Sequence, residues 1–176
     1  GAPGRDVHYG YGLVQAKAAV DRIAARESEL TRYAIERLAE VPGLTIHGPT
    51  DTSGPTAKLG VIPFTIDKID HSLIAAVLGY EHGVGVRSGC FCAHPYVAHL
   101  LSLDQSAAMA WVDRVRHGDK RGAPGMVRIS FGCYNDRHDI DLAVAALEQI
   151  VAGNIKIVDS LQKAIVQTGY ANAFNA

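Results

Sequence analysis

The sequence predicts an α+β domain, a small and mostly antiparallel sheet of about four strands with helices on one face. Three observations predict it. A long helical periodicity opens the chain, and a second helical stripe lies toward its end. Four short segments rich in β-branched and aromatic residues separate the two. The order reads helix, strand, strand, helix, strand, loop, strand, helix.

The first helix is expected over about residues 11–40. Leu13, Ala16, Val20, Ile23, Leu30, Ala34 and Leu38 fall at helical spacing, Glu27 interrupts the face, and Pro42-Gly43 stops the helix. Leu44–His47 is a short strand. Leu59–Ile66 is the clearest strand, with Val, Ile, Phe and Thr in succession. Asp67 or Asp70 then caps a helix with Ile69, Leu73, Val77 and Tyr80 on its apolar face, and Gly83 is placed for a left-handed stop. Val84–Arg87 reads as the third strand and Met126–Phe131 as the fourth. A helix is expected to begin near Pro95, while the Gly- and charge-rich stretch Arg114–Gly125 reads as a loop. Asn135-Asp136 opens the last helix, striped by Ile140, Val144, Leu147 and Ile150 and closed by Gly153. Residues 1–153 thus form one domain, and residues 154–176 a tail or extra helix.

The chain has 176 residues and a mass of 18.8 kDa, which suits one domain, or one domain with an appendage. Apolar residues at 48% and charged residues at 20% are globular proportions, not those of a disordered chain. Seventeen basic residues against 18 acidic ones leave a net charge of −1, which gives no electrostatic reason to bind nucleic acid. No apolar run approaches the roughly 20 residues of a membrane span. Three cysteines, Cys90, Cys92 and Cys133, are an odd number and do not suit a disulfide scaffold, so a reducing compartment such as the cytoplasm is expected. The start, Gly1-Ala2-Pro3-Gly4-Arg5, has neither Met nor the pattern of a signal peptide. The chain reads as a piece of something longer.

Two segments can carry chemistry. The first is Val86-Arg87-Ser88-Gly89-Cys90-Phe91-Cys92-Ala93-His94-Pro95. A thiol becomes a thiolate near neutral pH when positive charge or a helix N-terminus lies close. Arg87, His94 and the helix near Pro95 can supply those; the alternative is an inert, buried cysteine. A metal reading of Cys90 and Cys92 with His94 or His99 lacks a second cysteine pair at zinc spacing. The second segment is Val127-Arg128-Ile129-Ser130-Phe131-Gly132-Cys133-Tyr134-Asn135. Alternation puts Val127, Ile129 and Phe131 on the core face and Arg128 on the other. Arg128 there is either a solvated surface charge or a bidentate clamp for a carboxylate. Cys133 is expected to be buried by packing at the strand end.

Three blocks of the sequence resemble class V PLP-dependent enzymes, nearest the group II cysteine desulfurases and selenocysteine lyases. They are Ala25-Arg26-Glu27-x-Glu29-Leu30 leading to Val41-Pro42-Gly43-Leu44, then Arg87-Ser88-Gly89-x-x-Cys92-Ala93-x-Pro95, then Arg128-x-Ser130-x-x-x-Tyr134-Asn135 with Asp139-Ile140-Asp141. The resemblance covers roughly residues 10–152. It implies the C-terminal small domain of a fold-type-I enzyme, with Cys92 taking sulfur from the substrate as a persulfide. It also implies that Arg128 grips the substrate carboxylate and that Arg87 stands near the mouth of the site.

Cys90 and Phe91 stand where such desulfurases usually carry His or similar polar residues, and His94 replaces a more usual apolar or amide residue. The cofactor implied is pyridoxal 5'-phosphate in the parent enzyme. No Ser-x-His triplet precedes any lysine here, so no cofactor-binding residue is identified and covalent binding by this chain is not expected. The implied partners are a large PLP-binding domain, a second copy in a homodimer, an amino-acid substrate and a sulfur-acceptor protein. The alternatives are a class V aminotransferase or epimerase domain with no persulfide step, and a stand-alone sulfur-carrier or binding module.

Overall fold

The computed structural model describes residues 16–52, 57–118 and 123–156. Its elements run α1 (Ala16–Leu38), β1 (Leu44–Ile46), β2 (Val61–Ile66), α2 (His71–His82), β3 (Arg87–Gly89), α3 (His94–Leu100), α4 (Gln105–Arg116), β4 (Met126–Ser130) and α5 (Arg137–Val151). The strands form one antiparallel sheet in the order β1-β2-β4-β3. This is the α+β arrangement expected.

Strand alternation sorts the sheet into two faces. Ile62, Phe64, Ile66, Val127 and Ile129 point to one side and are buried. Leu30, Ala34 and Leu38 of α1, Ile74, Val77 and Leu78 of α2, and the whole predicted stripe of α5 pack with them as one core. Each fully buried Leu, Ile or Phe side chain contributes roughly 1.5–3 kcal/mol of transfer free energy. Met126 is buried on the opposite side of the sheet, and Val97 of α3 is buried as well; neither belongs to that core.

The helix ends follow local chemistry. The Asp70 carboxylate accepts from the Ser72 N–H at 2.8 Å, and Gly83 ends α2 with φ 67°. Asp136 and Asp139 make a reciprocal capping box on α5. Across the helix layer, Tyr33 Oη and Arg37 Nε both donate to Asp141 Oδ1, at 2.8 and 3.1 Å. Arg137 donates to Glu29 at 2.8 Å and lies over the Tyr33 ring. Glu27, the interruption in the α1 stripe, ties that helix to the sheet. Its carboxylate accepts the Gly60 N–H at 2.8 Å, where β2 begins.

Several expectations need correction. Residues 11–15, expected in the first helix, and nearly all of 154–176, expected as a tail or extra helix, lie outside the described residues and stay expectations. Val20 and Ile23, placed on the buried stripe, are 62% and 48% exposed, because the first turns of α1 run past the edge of the core. Tyr80 is also exposed, and α2 buries Ile74 and Leu78 instead. The stretch expected to be a loop from Arg114 begins inside a helix. α4 runs to Arg116, and Asp104 holds its start by accepting from Ala107 N and Ser106 Oγ, both at 2.7 Å. The third strand begins at Arg87, three residues later than expected. Cys133 is exposed rather than buried. β4 ends at Ser130, and a turn closed by Asn135 N–H to Gly132 O at 3.1 Å and Gly132 N–H to Asn135 Oδ1 at 2.8 Å directs the cysteine outward.

Candidate active site

The sheet face away from the main core carries the residues singled out for chemistry. In the β3–β4 pairing, Arg87 lies directly opposite Arg128, and Arg128 is in turn opposite Pro63 of β2. Residues paired in this way share a face, so the two guanidiniums stand side by side on one surface. Among the described residues neither has a carboxylate partner. Arg128 is half-buried, and its Nε is fully covered with no hydrogen-bond acceptor. Like charges opposed across a ladder repel, and a buried donor left unpaired costs about 1–3 kcal/mol. An anion between the two arginines would relieve the repulsion.

The chain next builds a tight turn. The Ala93 N–H donates to Cys90 O at 2.8 Å. The two residues between, Phe91 and Cys92, have φ of 53° and 60°. Positive φ at both central positions marks the mirror-image β-turns that glycine, asparagine and aspartate usually occupy. A side chain there costs about 1–2 kcal/mol per residue. The Arg128 guanidinium offsets part of this cost, standing 5.0 Å above the Phe91 ring in a cation–π contact. Cys92, next in the turn, is exposed.

Cys90 anchors the turn. It is half-buried, burial pushes its thiol up from the usual value, and Sγ donates to Pro124 O at 3.1 Å. The segment it holds is tied from the other side by His71, whose Nε2 lies 3.0 Å from Ala123 O. Gly125 has no room for a side chain: a Cβ there would sit 2.8 Å from Gly89 Cα and 2.5 Å from His71 Nε2. Thus α2, β3 and the entry to β4 clamp the base of the cysteine turn. α3 begins at His94, with Pro95 in its first turn, as expected.

The structure therefore brings Arg87, Arg128 and the cysteine turn together, with Phe91 as the link. Sequence reasoning finds Phe91 but not its seat under Arg128, because the β3–β4 register that places it is not written in either segment alone. It also misses Gly125 and His71, whose only signal is a Gly before a strand. Among the described residues no group of three or more His, Cys, Asp and Glu gathers as a metal site, and His94 stacks instead on Trp111 with centroids 5.5 Å apart. No helix among the described residues is long and apolar enough to cross a membrane.

Residues 11–143 match aminotransferase class-V, and the chain belongs to that family. Its curated relatives include the cysteine desulfurase of Salmonella newport (strain SL254), 34% identical over 131 residues, which are 74% of this chain and 25% of that protein. The cysteine desulfurase of Salmonella typhimurium matches with the same identity and coverage. Among solved structures, the apo cysteine desulfurase from Thermococcus onnurineus NA1 superposes with TM-score 0.57 at 26% identity, over 78% of this chain and 28% of that one. The cysteine desulfurase CsdA from Escherichia coli shares the fold with TM-score 0.54 at 22% identity, over 76% of this chain and 26% of that one. The chain spans about a quarter of the length of the curated relatives it matches.

Proposed function

We propose that residues 1–153 are the C-terminal small domain of a PLP-dependent, cysteine desulfurase-like enzyme acting on an amino acid, and that residues 154–176 are a tail or extra helix. The observation that carries the reading is the Arg87–Arg128 pair, two cations without a carboxylate partner among the described residues, beside an exposed cysteine on a tight turn. A guanidinium receives a carboxylate through two parallel hydrogen bonds. Arg128, fixed by β4 and by Phe91, is the clamp for the substrate carboxylate. Arg87, on the edge strand, stands nearer the mouth.

Cys92 is the nucleophile. Its thiolate attacks the sulfur of the bound amino acid and an S–S bond forms. The substrate's C–S bond breaks, and its electron pair leaves with the carbon, which takes up a proton. The product on the enzyme is a Cys92 persulfide, passed on to a sulfur acceptor. Cys90 is unsuited to this role because its thiol is already engaged with Pro124 O and burial keeps it protonated.

The cofactor that the resemblance implies does not fit the described residues. Lys17, Lys68 and Lys156 are exposed. Lys58 is half-buried, but its ammonium donates to His47 O beside β1, at the opposite edge of the sheet from Arg87. The reading assigns PLP to the large domain of the parent enzyme and no cofactor step to this chain, which is inactive alone.

The test uses an enzyme that carries this sequence joined to its PLP-binding part. With a thiol reductant present to release the persulfide's outer sulfur as sulfide, Cys92→Ala should abolish sulfide release from cysteine with PLP still bound, while Cys90→Ala keeps most of the activity. Arg128→Ala should raise KM at least about tenfold, the loss of a charge-assisted contact. Full turnover of an amino acid by Cys92→Ala would replace this reading with that of an aminotransferase or epimerase.

A further inference from the structure

Outside the arginine face, the fold holds a cavity of about 570 Å³ between α3 and α4. That volume lies within the roughly 300–1,000 Å³ range of small-molecule sites. Its lining is mostly apolar: Val97 on the α3 side, Leu103 between the helices, Met109 and Trp111 on the α4 side. The cavity is a slot walled on two sides by this chain, not a flat face. No described side chain of α4 is fully buried, and Met109 and Val112 are 66% and 41% exposed. α4 turns Met109, Trp111 and Val112 toward this slot, and the chain's own packing buries them only in part, so a ligand there gains apolar contact.

The walls also select a chemistry. Trp111 and His94 both line the slot and stack on each other with an interplanar angle of 27°. A methionine beside them favours ring edges. Of the two charged residues on the wall, Asp113 lies 3.7 Å from His117, whereas Arg116 has no ion-pair partner among the described residues. We propose that this slot is a binding site for a small organic anion with an aromatic body, its rings against Trp111 and His94 and its negative group at Arg116. The proposal is independent of the desulfurase reading. Cys90 shares the cavity wall, so the thiol that anchors the cysteine turn senses occupancy.

Trp111 is the single tryptophan of the chain, so its fluorescence reports on this slot alone. The probe is 8-anilinonaphthalene-1-sulfonate, added to the full chain. Expected is saturable binding of one probe per chain, with Trp111 emission quenched by transfer to the probe and the cooperative melt retained, unlike dye uptake by a loosened core. Ala108→Phe, which fills the slot, should weaken binding about tenfold or more, and Arg116→Gln on the exposed rim several-fold. In the unsubstituted chain, which needs no variant to fold, the probe should slow N-ethylmaleimide labelling of Cys90 and leave that of Cys133 unchanged. Absence of saturable binding overturns the proposal, as does equal binding by a folded Ala108→Phe chain or by Arg116→Gln. A shift of Trp111 emission with protein concentration alone overturns it in favour of a second copy in the slot.

Discussion

The two sides of the sheet are built differently. On the helix side, α1, α2 and α5 lay their apolar stripes on Ile62, Phe64, Val127 and Ile129 as one buried core, with polar ties such as Tyr33 and Arg37 to Asp141 at its rim. On the other side a strained turn, two arginines side by side, a thiol-to-carbonyl bond and a loosely covered helix share the surface. The first side holds the fold by volume and area, and the second by a few specific polar and steric contacts. Stability therefore resides in one face, and placement of reactive groups in the other.

The largest test of that division is in the core. Phe64→Ala should cost about 3–5 kcal/mol, read as a lowered urea midpoint, whereas Met109→Ala on α4 should stay within about 0.5 kcal/mol. A comparable loss at Met109 would erase the contrast. Next comes Gly125→Ala, which forces a Cβ against the Gly89 backbone and the His71 ring and should cost about 1–3 kcal/mol. Because that shift spreads the clamp on Cys90, labelling of Cys90 should speed up, a readout the core variants should not reproduce below their melting transition. Removing the α5 cap with Asp136→Ala should cost about 1 kcal/mol, visible as faster amide exchange in the first turn of α5.

Acid should act on the helix layer. The hydrogen bonds from Tyr33 and Arg37 hold the Asp141 carboxyl below its usual value. Its contribution is therefore complete at neutral pH and is lost as pH falls through the usual carboxylate value of about 4 toward the lowered folded one. Asp141→Asn should flatten that part of the melting-temperature profile. The smallest effect is expected at Phe91→Gly. Relief of the positive φ and loss of the cation–π contact should nearly cancel, within about 0.5 kcal/mol, so a change beyond about 1 kcal/mol would show that one of the two has been misjudged.

The same contrast explains what is legible in the sequence. The α5 stripe, the Asp70 and Asp136 caps and the Gly83 stop are local signals, and each appears where periodicity and capping chemistry place it. Alternation alone assigns Arg128 to its face. What escapes is non-local. The α4 helix has an apolar side of its own, but it faces the slot beside α3 rather than the core. The exposure of Val20 depends on where the sheet ends, and that of Cys133 on a turn set by Asn135. Phe91 finds Arg128 only through the pairing of two strands that lie far apart in the sequence.

The sheet's open edge gives Arg87 a second consequence. β3 is an edge strand of three residues, Arg87 to Gly89. An unpaired strand edge is a template on which another chain can lengthen the sheet, and short length with a projecting charge is a common protection. The arginine proposed to stand at the mouth of the site therefore also discourages the molecule from polymerising through that edge. An apolar residue there would trade a local change in substrate recognition for a colloidal problem, in which soluble yield falls along with turnover.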